Sequence, residues 1–373
     1  MATPKQINKP ILFVHQGFEL YGSDKMLLLN IKAASIKYPE KKIIVILPKK
    51  GILSEVLENE YKVEVLIRHL GVVRKYDLKR FNLSAFTRIF TFFRLLAFIN
   101  SFEFVYINSI VIIDYILAAR FAKIKAFIHV HELPLGFAAK VFSKLLSFSG
   151  ASLIFISSAS KNAFINLKNK HQFIVWNGVE QLKETDRKRE TAVRIKILLI
   201  GRINTWKGQS LLIKAIALLN RTEREKIEVQ IVGDVFMNQY ALKTSLLEQI
   251  NENKLQQFIK ILPFTSSPGM FYNWADIVIV PSLLPEPFGL VAIEAMSLGK
   301  LVIAANHGGL KEIIEDNVNG LLFDAGNEKE LVDKIAYSIN TPDIICELGE
   351  KGRQSYKENF TEEIFINKML EII

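Results

Sequence analysis

Two stretches of the sequence combine residue types that can do chemistry. Residues 284–299, LPEPFGLVAIEAMSLG, follow the apolar run ADIVIVPS. Glu286 and Glu294 stand there around Pro-Phe-Gly, at the mouth of a strand where an unpaired charge is costly to bury. The second stretch, LLIGRINTWKG, ends a strand at Gly201, sets Arg202 and Lys207 on either side of a short turn, and starts a helix near Gly208.

Two cations beside a helix N-terminus make an anion site, because free backbone N–H groups and the helix dipole add to the side-chain charges. A diphosphate fits such a site, although an isolated pair reads more simply as two solvated loop cations. The spacing matches neither the P-loop nor G-x-G-x-x-G, so neither a Walker NTPase nor a dinucleotide enzyme is supported. In 284–299 a helix is expected from Phe288, with Gly299 as its stop. Glu286 precedes it and Glu294 falls in its second turn. The N–H groups of Phe288, Gly289 and Leu290 are free donors at the helix start, and Gly289 lets a ligand approach the backbone. Carboxylates accept hydrogen bonds from hydroxyls, while N–H groups and cations hold phosphates. A ligand with both features is a nucleotide sugar. The competing readings are a buried, capped helix glutamate for Glu294 and an exposed loop charge for Glu286.

Elements that could position these residues alternate along the whole chain. The first half carries the apolar runs PILFVH, KIIVILP, KVEVLI, FEFVYIN, KAFIHVH and SLIFISS, with helical segments such as 24–35 and 54–59 between them. The second half carries RIKILLIG, IEVQIVG, FIKILPF, DIVIVPS, KLVIAAN and NGLLFD, with helices expected at 208–219, 240–251, 288–298 and 310–315. Uniformly apolar strands separated by helices indicate parallel sheets covered on both faces. The expected fold is α/β: two doubly wound Rossmann-like domains, 1–185 and 186–373, facing a central cleft. The charged stretch 180–194 is the linker candidate. Residues 360–373 read as an amphipathic helix, free to cross back to the first domain. Ligands of such sheets bind outside the carboxyl ends of strands, and the informative residues do follow strands.

At 373 residues the chain exceeds one typical core. A single cysteine, Cys346, excludes a disulfide framework and a cysteine-rich metal site. The N-terminal apolar run 11–14 is too short for a signal peptide. The longest apolar tract, 104–122, contains Asn108, Asp114 and Arg120, so no membrane span of about 20 apolar residues is expected. A cytoplasmic location follows as an expectation. Residues 1–185 hold 26 Lys and Arg against 13 Asp and Glu, whereas the remainder holds 22 against 25. The basic excess therefore belongs to the first half and suggests an anionic partner there. Residues 74–98 mix six basic residues with seven aromatics, which suits peripheral contact with an anionic membrane as well as a core helix with a solvated face. No nucleic-acid motif accompanies the charge.

In this order and spacing, GRINTWKG, VGD and EPFGLVAIEAMSLG resemble the retaining GT-B glycosyltransferases of family GT4. ELYGSDKMLLLN resembles that family's N-terminal glycine-rich loop and helix, NGV its interdomain segment, and NHGGLKEIIEDNVNGLLF its last strands. The resemblance implies transfer of a sugar from a nucleotide sugar to a glycan or polyprenyl-diphosphate-linked acceptor, in surface polysaccharide assembly of the O-antigen or capsule type. Arg202 and Lys207 would bind the donor diphosphate and Glu294 the ribose hydroxyls. Glu286 and the backbone of Phe288, Gly289 and Leu290 would hold sugar hydroxyls and phosphate. Gly201 closes the strand before them, and Gly233, Asp234 and Leu262 would lie near the base. His131, or His129 two residues earlier, would contact the donor sugar near the reacting carbon, with Glu132 available to orient the imidazole. Gly22 and Ser23 would approach the phosphate or acceptor. His15 is a loop histidine with no partner in view. The chain departs from the family's commoner Gly-Gly-(Ala/Ser)-Glu loop, with Tyr21 in place of a glycine and Asp24 in place of the glutamate. With no Asp-x-Asp, no metal cofactor is expected. The leaving group would be neutralised by Arg202, Lys207 and the helix terminus, so that catalysis is positioning and electrostatics. Alternatives are a sugar-nucleotide 2-epimerase of the same fold and a non-catalytic sugar-nucleotide or glycan-binding subunit.

Overall fold

The computed structural model describes residues 9–71, 85–184, 194–235, 239–265 and 267–373, with the backbone alone at 85–91. Residues 185–193 of the expected linker, and most of the basic aromatic stretch 74–98, lie outside the described residues or side chains. The chain divides into two compact units, one of residues 1–177 with 362–373 and one of residues 178–361.

In the first unit, the described strands are β1 (Ile11–Val14), β2 (Ile43–Leu47), β3 (Glu64–Ile67), β4 (Phe104–Ile107), β5 (Lys125–Val130), β6 (Ser152–Phe155) and β7 (Gln172–Ile174). They form one parallel sheet in the order β3-β2-β1-β4-β5-β6-β7. β1 and β4 are buried at every position, as strands covered on both faces must be. One face carries Leu12, Val14, Val105, Ile107, Ile128 and Val130 into a core shared with the Ala85–Ile99, Ile113–Ala122 and Phe137–Ser149 helices. The opposite face carries Phe13, Tyr106, Phe127 and His129 toward the Gly22–Lys37 helix and the closing Glu362–Ile372 helix, which pack together.

In the second unit, β8 (Ile195–Ile200), β9 (Ile227–Val232), β10 (Ile259–Leu262), β11 (Ile277–Val280), β12 (Leu301–Ala305) and β13 (Leu321–Phe323) form a parallel sheet in the order β10-β9-β8-β11-β12-β13. Its aliphatic core joins β8, β9, β11 and β12 to the Gln209–Leu218 and Glu328–Asn340 helices.

The expected strands are all present. The three-residue β7 is an addition: it is only partly buried and carries no apolar run long enough to read. The helix expected from Phe288 instead spans Leu290–Ser297. Gly289 has φ +130°, outside the right-handed helical region, so the helix cannot include the Pro287-Phe288-Gly289 turn.

Candidate functional site

In the second unit the strand order reverses between β8 and β11, so the chain winds outward in both directions from this pair. That reversal is the switch point where open parallel sheets bind ligands. Arg202 and Lys207 follow β8, and Glu286 follows β11. The two exit loops are pressed together: Gly208 has φ +80°, and a Cβ there would lie 1.9 Å from the Pro281 carbonyl oxygen. The Leu283 N–H donates to the Trp206 carbonyl at 2.7 Å. Asn204 Oδ1 accepts from the Trp206 and Lys207 N–H groups at 3.0 and 2.9 Å and closes the turn.

This packing brings Lys207 Nζ within 2.7 Å of Glu286 Oε1, and the Ser282 hydroxyl donates to the same oxygen. Glu286 is only 6% exposed. Its burial is tolerated because a cation and a hydroxyl replace the lost water. The loop is held from a third strand as well. His307, after β12, donates from Nε2 to the Ser282 carbonyl at 2.7 Å, which leaves its buried Nδ1 as an acceptor with no partner among the described residues. The Gly309 N–H donates to the Glu286 carbonyl at 2.8 Å. Glu286 is therefore not an exposed loop charge. Lys207, expected to face a diphosphate, is already neutralised by Glu286. Ser282 and His307 were given no role in the sequence reading; their signal is position, since each stands two residues beyond the end of an apolar strand.

Glu294 lies on the Leu290–Ser297 helix and is 8% exposed; it accepts from the Tyr272 hydroxyl at 2.7 Å. Burial, and then the Glu294 charge, push the Tyr272 phenol well above its usual pKa, so it remains a donor. The capped, buried reading of Glu294 describes this geometry. Gly289 does not leave its Cβ position open to a ligand: a Cβ there would lie 2.6 Å from Leu310 Cδ2, so the glycine serves the turn and the packing. Gly201, Gly233 and Leu262 sit side by side at the ends of β8, β9 and β10. The Gly233 N–H donates to the Leu262 carbonyl at 3.0 Å, and a Cβ on Gly233 would lie 2.0 Å from the Gly201 carbonyl oxygen. Asp234 accepts from the Val235 N–H at 2.9 Å and stands 3.5 Å from Lys243. The half-buried Arg202 accepts from Gln209 Nε2 through its carbonyl at 3.0 Å.

The first unit repeats this design at its own reversal, between β1 and β4. His15 follows β1, Asn108 follows β4 and His131 follows β5. Asn108 donates from Nδ2 to the Ser23 carbonyl at 3.1 Å and to His15 Nδ1 at 3.0 Å. A carbonyl can only accept, so the amide orientation is assigned by Ser23. His15 Nδ1 then carries the lone pair, and Nε2–H donates to Asp24 Oδ1 at 2.6 Å. The remaining amide oxygen, Oδ1, accepts from His131 Nε2 at 2.9 Å. His131 is thereby held with its proton on Nε2 and an acceptor lone pair on Nδ1. Burial, then His129 and His15, hold the His131 pKa well below the usual histidine value.

His15 thus has two partners, contrary to the partnerless loop residue expected. Asp24 also accepts from the Tyr21 N–H at 2.9 Å, which closes the helix start without the missing glycine. The tight glycine of this loop is Gly17, whose Cβ would fall 2.0 Å from Asp24 Oδ1. Gly22 and Ser23 form the first helical turn. His129 is fully buried on the sheet face under the Gly22–Lys37 helix. Tyr106 and Asn30 donate to its Nδ1 at 2.9 and 3.1 Å, and burial pushes its pKa down to about 3. The two imidazoles lie 4.2 Å apart. Glu132 does not orient the His131 ring; it accepts the His131 backbone N–H at 3.1 Å and the Ser109 hydroxyl, and its pKa is raised by burial. Asn108, unread in the sequence, orients the ring.

Among the described residues, no group of three or more His, Cys, Asp or Glu could hold a metal ion, and no helix is long and apolar enough to cross a membrane.

Residues 180–358 match the family model "Glycosyl transferases group 1". The lipopolysaccharide 1,2-N-acetylglucosaminetransferase of Salmonella typhimurium is 36% identical over 128 residues, 33% of each protein. The D-inositol 3-phosphate glycosyltransferase of Rhodococcus jostii is 31% identical over 186 residues, 49% of this chain and 40% of that protein. The chain therefore spans less than half the length of either relative. A crystal structure of Anabaena Alr3699/HepE with UDP and glucose superposes with a TM-score of 0.81 at 22% identity, covering 97% of this chain and 98% of that one. Sucrose-phosphate synthase from Thermosynechococcus elongatus superposes with a TM-score of 0.77 at 18% identity, covering 98% of both chains. The fold is that of the GT-B glycosyltransferases.

Proposed function

We propose, from the match of residues 180–358 to the glycosyl transferases group 1 model, that this protein is a retaining, metal-independent glycosyltransferase. It moves a hexosyl-type group from a nucleotide sugar to a glycan or lipid-diphosphate-linked acceptor, in surface polysaccharide assembly at the cytoplasmic face of a membrane. The observation that carries the reading is the buried Lys207–Glu286 pair at the second unit's switch point, beside Arg202 and the start of the Leu290–Ser297 helix.

In this reading Arg202 and the helix-start N–H groups meet the donor diphosphate first. Lys207 bridges from Glu286 to the β-phosphate, keeping Glu286 ionised and aimed at a sugar hydroxyl. Glu294, with one oxygen held by Tyr272, takes the ribose hydroxyls. His131 offers Nδ1 as an acceptor to a sugar hydroxyl. As the C1–O bond breaks, the electron pair leaves with the diphosphate. The acceptor oxygen attacks the same face and passes its proton to the departing phosphate oxygen. The fixed cations and amides stabilise that developing charge without reorganising.

A thermal-shift screen of nucleotide sugars identifies the donor, since a ligand of the native state raises the melting temperature by mass action. UDP-sugars come first, because HepE was crystallised with UDP and glucose. With that donor, the expected result is nucleoside diphosphate release that requires acceptor, survives a chelator, and yields a product with the donor's anomeric configuration by NMR. Release without acceptor would point to the epimerase, and donor binding with no turnover to a binding subunit. Turnover that persists in both Glu286→Gln and His131→Ala would overturn the assignments.

A further inference from the structure

The outer surface of three helices in the first unit is unlike that of an ordinary soluble face. On the Phe137–Ser149 helix, Phe137, Val141 and Phe148 are 81%, 45% and 48% exposed, and Leu135 just before it is 59% exposed. On the neighbouring Ile113–Ala122 helix Phe121 is 58% exposed, and on the Ala85–Ile99 helix Phe93 is 64% exposed. These residues belong to one surface, not to scattered points. The ring of Phe121 lies 5.9 Å from Phe92 on one side and 6.0 Å from Phe148 on the other, so aromatic contacts cross all three helices. The helices lie side by side on the sheet face whose core is Leu12, Val14, Val105 and Ile107. Exposed apolar surface of this extent marks an interaction site.

The charge on the same surface selects the partner. Lys140 and Lys144 are exposed one turn apart on the Phe137–Ser149 helix, and Arg120 and Lys123 are exposed at the end of the Ile113–Ala122 helix. The Arg120 guanidinium lies 5.6 Å from the Phe148 ring. Between residues 85 and 179 there are ten Lys and Arg against three acids, and none of the three answers these cations. Asp114 accepts the Gly71 N–H, Glu132 is tied to Ser109, and Glu103 pairs with Lys41. A protein partner would have to supply several carboxylates between apolar contacts. An anionic bilayer supplies both a continuous negative headgroup layer and an apolar layer just beneath it.

We propose that this three-helix face, centred on Phe137, Val141, Phe148, Lys140 and Lys144, docks the protein onto an anionic bilayer. Phe137 and its neighbours enter the headgroup boundary while the lysines stay at phosphate level, their stems lying along the apolar surface. The face deepens the acceptor half of the proposed function by supplying the surface on which a lipid-borne acceptor is met. It is read by binding alone, so it and the catalytic reading fail separately.

The test is co-sedimentation of the full chain with vesicles of phosphatidylcholine alone or mixed with phosphatidylglycerol, at low and high salt. The expected result is pelleting with the anionic vesicles only, weakened by salt. Lys140→Glu with Lys144→Glu lowers partitioning by more than about tenfold, and Phe137→Ser with Val141→Ser abolishes it. Both pairs are exposed, so the melting temperature holds. Binding to neutral vesicles at equal strength would overturn the charge argument. Failure to pellet with either vesicle, or unchanged binding by both variants, would overturn the face. A dimer in size-exclusion chromatography that Phe137→Ser dissociates would assign the face to a second copy instead.

Discussion

Removing the Lys207 amine leaves Glu286 buried with a hydroxyl as its main compensation. At 2.7 Å and an effective dielectric near 20, the pair's Coulomb attraction is about 6 kcal/mol, most of it offset by desolvation. Breaking one side of a buried pair costs about 3–5 kcal/mol. The two sides are not equivalent, since the Glu286 side chain is 7% exposed and the Lys207 side chain 18%. The amine also lies 4.7 Å from the Trp206 ring, so it keeps a partial partner when Glu286 is neutralised. Lys207→Met should therefore cost about 3 kcal/mol and Glu286→Gln only about 1. The double variant should return to about 1, because no charge is then left unpaired. For a unit of this size the Lys207→Met loss lowers the melting temperature by roughly 6–12 °C. Urea unfolding followed by tryptophan fluorescence gives the four corners of the cycle, with Trp206 adjacent to the change. If the double variant loses as much as the two single variants together, the pair is not coupled and the account of why Glu286 is buried is wrong.

Gly208→Ala should cost more than about 2 kcal/mol in the same experiment, because the left-handed backbone and the Pro281 carbonyl both oppose a Cβ; wild-type stability would refute the tight loop contact. His129 binds no proton in the folded state until about pH 3, while the unfolded chain binds one near 6.5. Stability should therefore fall as pH drops below about 6.5, and His129→Gln should flatten that fall by about 1.4 kcal/mol per pH unit. Unchanged slopes in melting curves between about pH 7 and 5 would refute it. Asn108→Asp places a carboxylate where an amide oxygen now accepts from His131 Nε2. The imidazolium is then favoured, so NMR titration should show the His131 pKa rise, and the acid limb of the pH–activity profile should move to higher pH. A His131 titration identical to wild type would mean that Asn108 does not govern the ring.

Strand content and alternation were legible because parallel strands covered on both faces must be apolar throughout, and runs such as DIVIVPS leave little else. The position of Arg202, Lys207 and Glu286 in the second unit was legible because each lies in a loop that follows an apolar strand. What was not legible was pairing. Lys207 and Glu286 are 79 residues apart, and nothing local in either stretch says that one neutralises the other. His15 looked partnerless because its partners are Asp24, on the next helix, and Asn108, 93 residues on. Asn108, Ser282 and His307 share one weak signal: each is polar and stands at or just beyond the end of a buried strand. At Gly289 the sequence could not show that the space beside the glycine on its Cβ side is taken by Leu310.

The first unit is completed by residues 362–373, which follow the whole second unit in sequence. Phe365 of the closing helix stacks against His129 at 6.3 Å, and Lys37 donates to the Leu370 carbonyl at 2.6 Å. On a ribosome, residues 178–361 can reach their final structure while one face of the first sheet still has only the Gly22–Lys37 helix and lacks its second helix. A stop codon placed just before Glu362 would therefore injure the amino-terminal half and spare the half it adjoins in sequence.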